Sequence, residues 1–234
     1  MIQSKNPTTE KILKTFREIS GKELEKKISL AEKAFKSWKR TSLKERARLM
    51  LKLGEYLRSH AEDFSKLQML EMGKTIKSGP IGIKKCALLC DYYADNAETI
   101  LAPEILQTEA KEQYVKFDPL GIVLAVMPWN FPFWQVYRFA VPALMAGNVG
   151  ILKHASNVPQ CAQAIEESFR ASGFPKGVFQ NLLLSSSRIE GLIRDSRISA
   201  VTLTGSEKAG SSVARISAEE IKKVVLELGG SDPF

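Results

Sequence analysis

Five short, almost unbroken apolar runs constrain this chain more than any other feature. They are Gly121 to Met127 (GIVLAVM), Val149 to Leu152 (VGIL), Val178 to Leu184 (VFQNLLL), Ala200 to Thr204 (AVTLT) and Val224 to Leu228 (VVLEL). Their starts lie 28, 29, 22 and 24 residues apart, room for one helix and two short loops between each pair. Strands apolar on both faces are buried on both faces, and that spacing supplies the covering helices. The runs predict an α/β fold built on an open, mostly parallel sheet with helices on both sides.

The residues before them read as helical up to about residue 101. Leu24, Ile28, Ala31, Phe35 and Trp38 recur every three or four positions, one apolar stripe. Ser42 and Glu45 match a capping box opening a helix through Leu49, Leu53, Tyr56, Leu57 and Phe64 that breaks near Gly73. Gly79, Pro80 and Gly82 suggest a turn, after which a third helix runs to about Ile100 and stops before Pro103. Its Cys86 and Cys90 share one face and read as buried small hydrophobes. Thr108 to Phe117 reads as an extended strand or hairpin leaving the body. Further on, Ser156 and Asn157 can cap a helix that Pro159 opens and Gly173 closes.

Composition removes several classes. With 44% hydrophobic and 26% charged residues the chain sits at globular averages. The net charge of +8 (34 basic against 26 acidic residues) comes from mixed stretches such as KELEKK, an ordinary solvated face, so no nucleic-acid partner is expected. No apolar run approaches the roughly 20 residues that span a bilayer, and the first residues lack an apolar core of the signal-peptide kind. Three cysteines at no zinc-like spacing argue against disulfides and metal. The expectation is a cytoplasmic protein without membrane attachment.

An open parallel sheet binds ligands outside the carboxyl ends of its strands, so the residues following each run are the candidates. After the first comes Pro128-Trp129-Asn130-Phe131-Pro132. The Asn130 amide there can donate to a carbonyl oxygen that becomes an oxyanion, or simply cap the next helix. Lys153 ends the second run and can reach a ribose or phosphate. Thr204-Gly205-Ser206 opens a helix whose backbone amides and hydroxyl can hold a pyrophosphate. The string GSEKAGSS puts Ser211 where a nucleotide-triphosphate loop needs its lysine, which excludes that chemistry. Glu227, inside the apolar VVLELGG, is either a desolvated general base or a carboxylate paired across the sheet. His60 and His154 form no recognisable constellation, His60 reading as a surface residue. Cys161 has nothing basic beside it to lower its pKa.

Taken in order, PWNFP, GNVGILKHASNVP, GFPKGVFQNLL, TGSEKAG and LELGG resemble the aldehyde dehydrogenase superfamily, and most of all its succinate-semialdehyde dehydrogenase branch. The resemblance implies a Rossmann-like cofactor domain and NAD(P)-dependent oxidation of an aldehyde to an acid, with a cysteine thiolate as nucleophile. By motif, Asn130 resembles the oxyanion-hole amide and Glu227 the general base. Lys153 is similar to the residue on the adenosine ribose, and Ser206 to the serine on the pyrophosphate. Val126, Met127 and Trp129 would line the cofactor, Gly177 would lie near the adenine pocket, and Gly205 and Gly230 would pass close by. NAD-preferring members often carry a glutamate three residues after the lysine. Here that position is Ser156, so the expected cofactor is NAD or NADP, with NADP accepted.

The resemblance also divides the chain. Residues 1–102 would be the helical part of the cofactor domain, 103–120 part of an oligomerisation arm that joins a dimer or tetramer, and 121–234 the dinucleotide-binding core. In the family the nucleophilic cysteine follows the glutamate by roughly 30–35 residues, whereas this sequence ends seven residues past Glu227. The expectation is a partial aldehyde dehydrogenase lacking its catalytic domain and inactive alone, the aldehyde being met only in a full-length form. Such a chain would leave a large apolar face exposed.

Overall fold

The computed structural model describes residues 1–230; the SDPF that follows the last motif lies outside the described residues. The chain opens with an antiparallel hairpin, β1 (Ile2–Lys5) and β2 (Ile12–Phe16), where the sequence suggested only helix. IQSK and ILKTF are too short to show a period, and most of β2 is exposed. Three helices follow over the stretch where the stripes predict two: α1 (Gly21–Trp38), α2 (Leu43–Ser59) and α3 (Ala61–Met72).

Ser20 and Glu23 close a reciprocal capping box on α1, which buries Ile28, Ala31, Ala34 and Trp38. The expected single helix through Phe64 is two, broken at His60. That residue is half-buried and stacked on Tyr56 at 3.9 Å, not on the surface. Gly73, at φ 74°, ends α3, a left-handed position that glycine takes without strain. Helix α4 (Gly79–Ile100) starts at the predicted turn, with Pro80 in its first turn, where a missing N–H costs nothing.

A two-residue ribbon, β3 (Glu104–Ile105) against β4 (Tyr114–Val115), is all that forms of the extended segment. Everything from residue 102 to 118 is exposed, so nothing there supports a longer pairing.

The core sheet contains β5 (Ile122–Met127), β6 (Val149–His154), β7 (Phe179–Asn181), β8 (Ile198–Gly205) and β9 (Lys223–Leu228). Between them lie α5 (Trp134–Met145), α6 (Pro159–Ala171), α7 (Ile189–Arg194) and α8 (Glu207–Glu219). All pairs are parallel in the order β7-β6-β5-β8-β9. Only three residues of the Val178–Leu184 run become strand, since β7 is an edge pairing on one side alone. No helix of the described residues is long and apolar enough to cross a membrane.

The strand order explains where the helices go. From β5 the chain steps outward to β6 and β7, then returns to place β8 on the other side of β5. Right-handed crossovers in opposite directions put their helices on opposite faces. Phe139 of α5 accordingly lies over Gly150, and Phe169 of α6 stacks on Phe179 at 4.3 Å. Across the sheet Gln180 donates to the Lys27 carbonyl of α1, and Gly210 of α8 sits against Leu228. Every residue of β6 is buried. With roughly 1.5–3 kcal/mol for each fully buried Leu, Ile or Val, the β5–β6–β8 centre holds the fold.

Candidate functional site

The reversal of strand order creates a crevice at the carboxyl ends of β5 and β8, and the predicted residues other than Gly177 lie along that rim on two different faces. Register pairs Val126 with Lys153 and with Leu203, while Met127 pairs with His154 and Thr204 with Glu227. Side chains alternate along a strand. Val126 and Lys153 therefore face α1 and α8, whereas Met127, His154 and Glu227 face α5 and α6. The loop bearing Asn130 leads into α5, and Ser206 opens α8 on the other side.

On the α1/α8 face, Lys153 is only 7% exposed, yet its ammonium makes no hydrogen bond or ion pair among the described residues. Burial lowers its pKa, and the Glu18 carboxylate partly opposes that shift. The Lys153 side chain is thus buried while its ammonium has no partner among the described residues, so this rim offers a cation to an oxygen-rich ligand. Ser156 lies exposed three residues on. Ser206 caps α8 by accepting from the Ala209 amide at 3.4 Å, leaving the amides of the first turn toward the crevice with the positive end of the helix dipole. A Cβ at Gly229 or Gly230 would meet nothing within 4 Å, so the backbone there is open. These groups fit a dinucleotide: an ammonium for ribose and phosphate, a helix start for pyrophosphate, and bare backbone for close approach.

On the α5/α6 face, Trp129, Asn130 and Phe131 are exposed. Asn130 does not cap α5, whose first turn has no side-chain cap. Its Oδ1 accepts from the Phe131 amide at 3.1 Å, and its Nδ2 donates to nothing among the described residues. Nor do Ser156 and Asn157 cap α6, whose first-turn amides at Gln160 and Cys161 donate instead to the Glu71 carboxylate of α3 at 3.0 and 2.8 Å. Glu227 is not the desolvated carboxylate that VVLEL suggested. It lies on the edge strand β9 with its side chain half exposed, 3.1 Å from the Arg138 guanidinium of α5. Together they line a trough of about 370 Å³ with Met127, Gln135, Thr204 and Val225.

Gly177 is displaced from its predicted role. It precedes β7 and so lies at the amino end of the sheet, away from the rim. Its φ of 92° and a Cβ that would come within 2.7 Å of the Leu30 carbonyl of α1 account for glycine by packing alone. Cys86, Cys90 and Cys161 are buried. Burial pushes the Cys86 thiol up to about 12, and Cys90 and Cys161 well above their usual range. None offers a thiolate to a substrate.

Two residues escaped the sequence reading. Arg138 needed the fold to bring α5 over β9. His154 was visible in principle: following Lys153 on a strand, it must face the opposite way. It is buried, accepts at Nδ1 from the Ala155 amide at 2.8 Å and contacts the Pro132 carbonyl through Nε2 at 2.9 Å. Burial lowers its pKa to about 4, so the ring is neutral at physiological pH.

The aldehyde dehydrogenase family pattern matches residues 1–234. A probable NADP(+) succinate-semialdehyde dehydrogenase of Synechocystis sp. is 51% identical over 229 residues, covering 98% of this chain and 50% of the relative. The NADP(+) succinate-semialdehyde dehydrogenase 1 of Mycobacterium tuberculosis is 49% identical over 232 residues, covering 98% and 51%. The crystal structure of succinic semialdehyde dehydrogenase from Streptococcus pyogenes in complex with NADP+ superposes with a TM-score of 0.96 at 34% identity, covering 99% of this chain and 51% of that one. The chain thus spans about half the length of the relatives it matches. Sheet order, rim and family pattern agree, and the chain belongs to the aldehyde dehydrogenase family.

Proposed function

We propose that this chain is the dinucleotide-binding part of an aldehyde dehydrogenase that oxidises succinate semialdehyde and takes NADP+ in preference to NAD+. The observation that carries the reading is the Lys153 ammonium, without a partner among the described residues on a buried side chain, with Ser156, not a carboxylate, three residues further on. A 2′-phosphate then meets a cation without meeting a like charge. Ser206 and the first turn of α8 hold the pyrophosphate, and Val126, Met127, Trp129, Gly205 and Gly230 line the path across the rim. When bound, the dinucleotide supplies the two-electron acceptor for aldehyde oxidation. The Asn130 Nδ2 group donates to the aldehyde oxygen as charge develops there. Glu227, held near Arg138, takes the proton of the hydrolytic water.

The names of the Synechocystis, mycobacterial and streptococcal relatives support both the substrate and the cofactor. The exposed ribbon of residues 103–120 serves as part of an arm pairing with further copies of the chain, since Ile105, Tyr114 and Phe117 stay about half or more exposed on their own chain.

A second reading rests on the three buried cysteines: alone, the chain binds dinucleotide without turnover. Calorimetric titration of the 234-residue chain with NADP+ and NAD+, beside an NADP+ reduction assay with succinate semialdehyde, tests both. We expect tighter NADP+ binding, a shift toward NAD+ in Ser156→Glu, and no turnover. An unchanged NADP+/NAD+ affinity ratio in that variant would remove Ser156 from the site, and thiol-sensitive turnover would refute the second reading.

A further inference from the structure

We propose that His154 is a positioning residue that holds the nicotinamide half of the site in place without bearing on the adenosine half. The inference rests on the dinucleotide reading above. Lys153 and His154 are neighbours on β6, so alternation sends the ammonium to one face and the imidazole to the other. The Ala155 N–H can only donate, so Nδ1 is the acceptor and Nε2 carries the proton given to the Pro132 carbonyl. Both ring nitrogens are thereby satisfied in a residue 5% exposed.

The tether adds to few other contacts: the Phe131 carbonyl accepts from the Gln135 amide at 3.0 Å, the Lys74 ammonium lies 4.5 Å from the Phe131 ring centre, and Pro132 is buried. Pro128 and Pro132 have no N–H to give, and Trp129, Asn130 and Phe131 are exposed. Among the described residues, His154 supplies the one hydrogen bond that the segment 128–132 receives from a side chain outside itself. Because β6 is buried throughout, the ring is a rigid anchor. It fixes the Asn130 amide and the Trp129 indole relative to the strand that carries Lys153. A histidine that only filled space would need neither bond, and phenylalanine would serve as well.

Nitrogen-15 NMR of the imidazole in the unliganded chain gives the first test. The Nε2–H tautomer is expected, and the Nδ1–H tautomer would overturn the proposal. Titrations of wild type, His154→Phe and His154→Gln with NADP+ and with 2′,5′-ADP give the second. In His154→Phe we expect NADP+ affinity to fall about tenfold while 2′,5′-ADP affinity stays within about twofold, with His154→Gln, which keeps a donor, in between. Equal losses for both ligands, or none, would refute the positioning role. Should wild type bind neither ligand, the dinucleotide reading itself fails. The Trp129 indole resonance then still decides the tether: it should shift in His154→Phe, and an unmoved resonance would sink the proposal.

Discussion

At the scale of single residues, the site stores unfavourable electrostatics. Lys153 carries, on a buried side chain, a cation without a partner among the described residues, a cost that ligand binding offsets. Lys153→Met should raise the stability of the unliganded chain by about 1–3 kcal/mol and weaken NADP+ by at least about tenfold. Urea unfolding beside calorimetry reads both, and a variant that is less stable would contradict the unpaired assignment. His154 makes a separate prediction about pH. Its folded pKa of about 4 lies below the ordinary value of 6.5, so the unfolded chain takes up a proton that the native chain refuses. Stability is full above pH 6.5 and falls as pH drops toward 4. Between pH 7 and pH 5 this one group removes about 2 kcal/mol. His154→Phe should flatten that loss, measured as the difference in unfolding free energy at the two pH values.

At the scale of elements, strands and helices with a strong period were legible and short or edge elements were not. The GIVLAVM and VGIL runs became β5 and β6 because both faces are covered. VVLEL reads much the same but became an edge strand with Val225 and Glu227 exposed, and an apolar run does not disclose which of its neighbours is missing. The β1–β2 hairpin had too few residues to show alternation. Proline at position 80 looked like a turn, although a helix start tolerates it equally. Asn130 and Ser206 were readable as residues that follow strands, and Lys153 and Glu227 as polar residues near the carboxyl ends of apolar runs. Arg138 was not, because it reaches Glu227 only through the packing of α5. Gly177 shows that a glycine can be accounted for by packing: it answers a close approach of α1. Gly177→Ala should therefore destabilise by about 2–4 kcal/mol, from positive φ and the contact with the Leu30 carbonyl. Its folded fraction should bind NADP+ as wild type does. A stable variant with impaired binding would restore Gly177 to the cofactor site.

At the scale of the whole molecule, one topological fact organises the rest. Reversal of strand order sends α5 and α6 to one face and α1 and α8 to the other, so the rim joins two chemically different half-sites. Cation and helix start lie on one side, amide and carboxylate on the other. A dinucleotide crossing the rim spans both. The three thiols lie in the core, away from either half-site. Native chain should accordingly give no reaction with Ellman's reagent until it unfolds, when all three cysteines react; a fast native thiol would contradict the burial described. Hydrogen exchange with and without NADP+ tests the two-sided rim most directly. Protection is predicted at residues 126–131 and 153–156 together with 205–209, and no change is predicted around Gly177. Protection confined to one face, or centred on the amino ends of the strands, would contradict it.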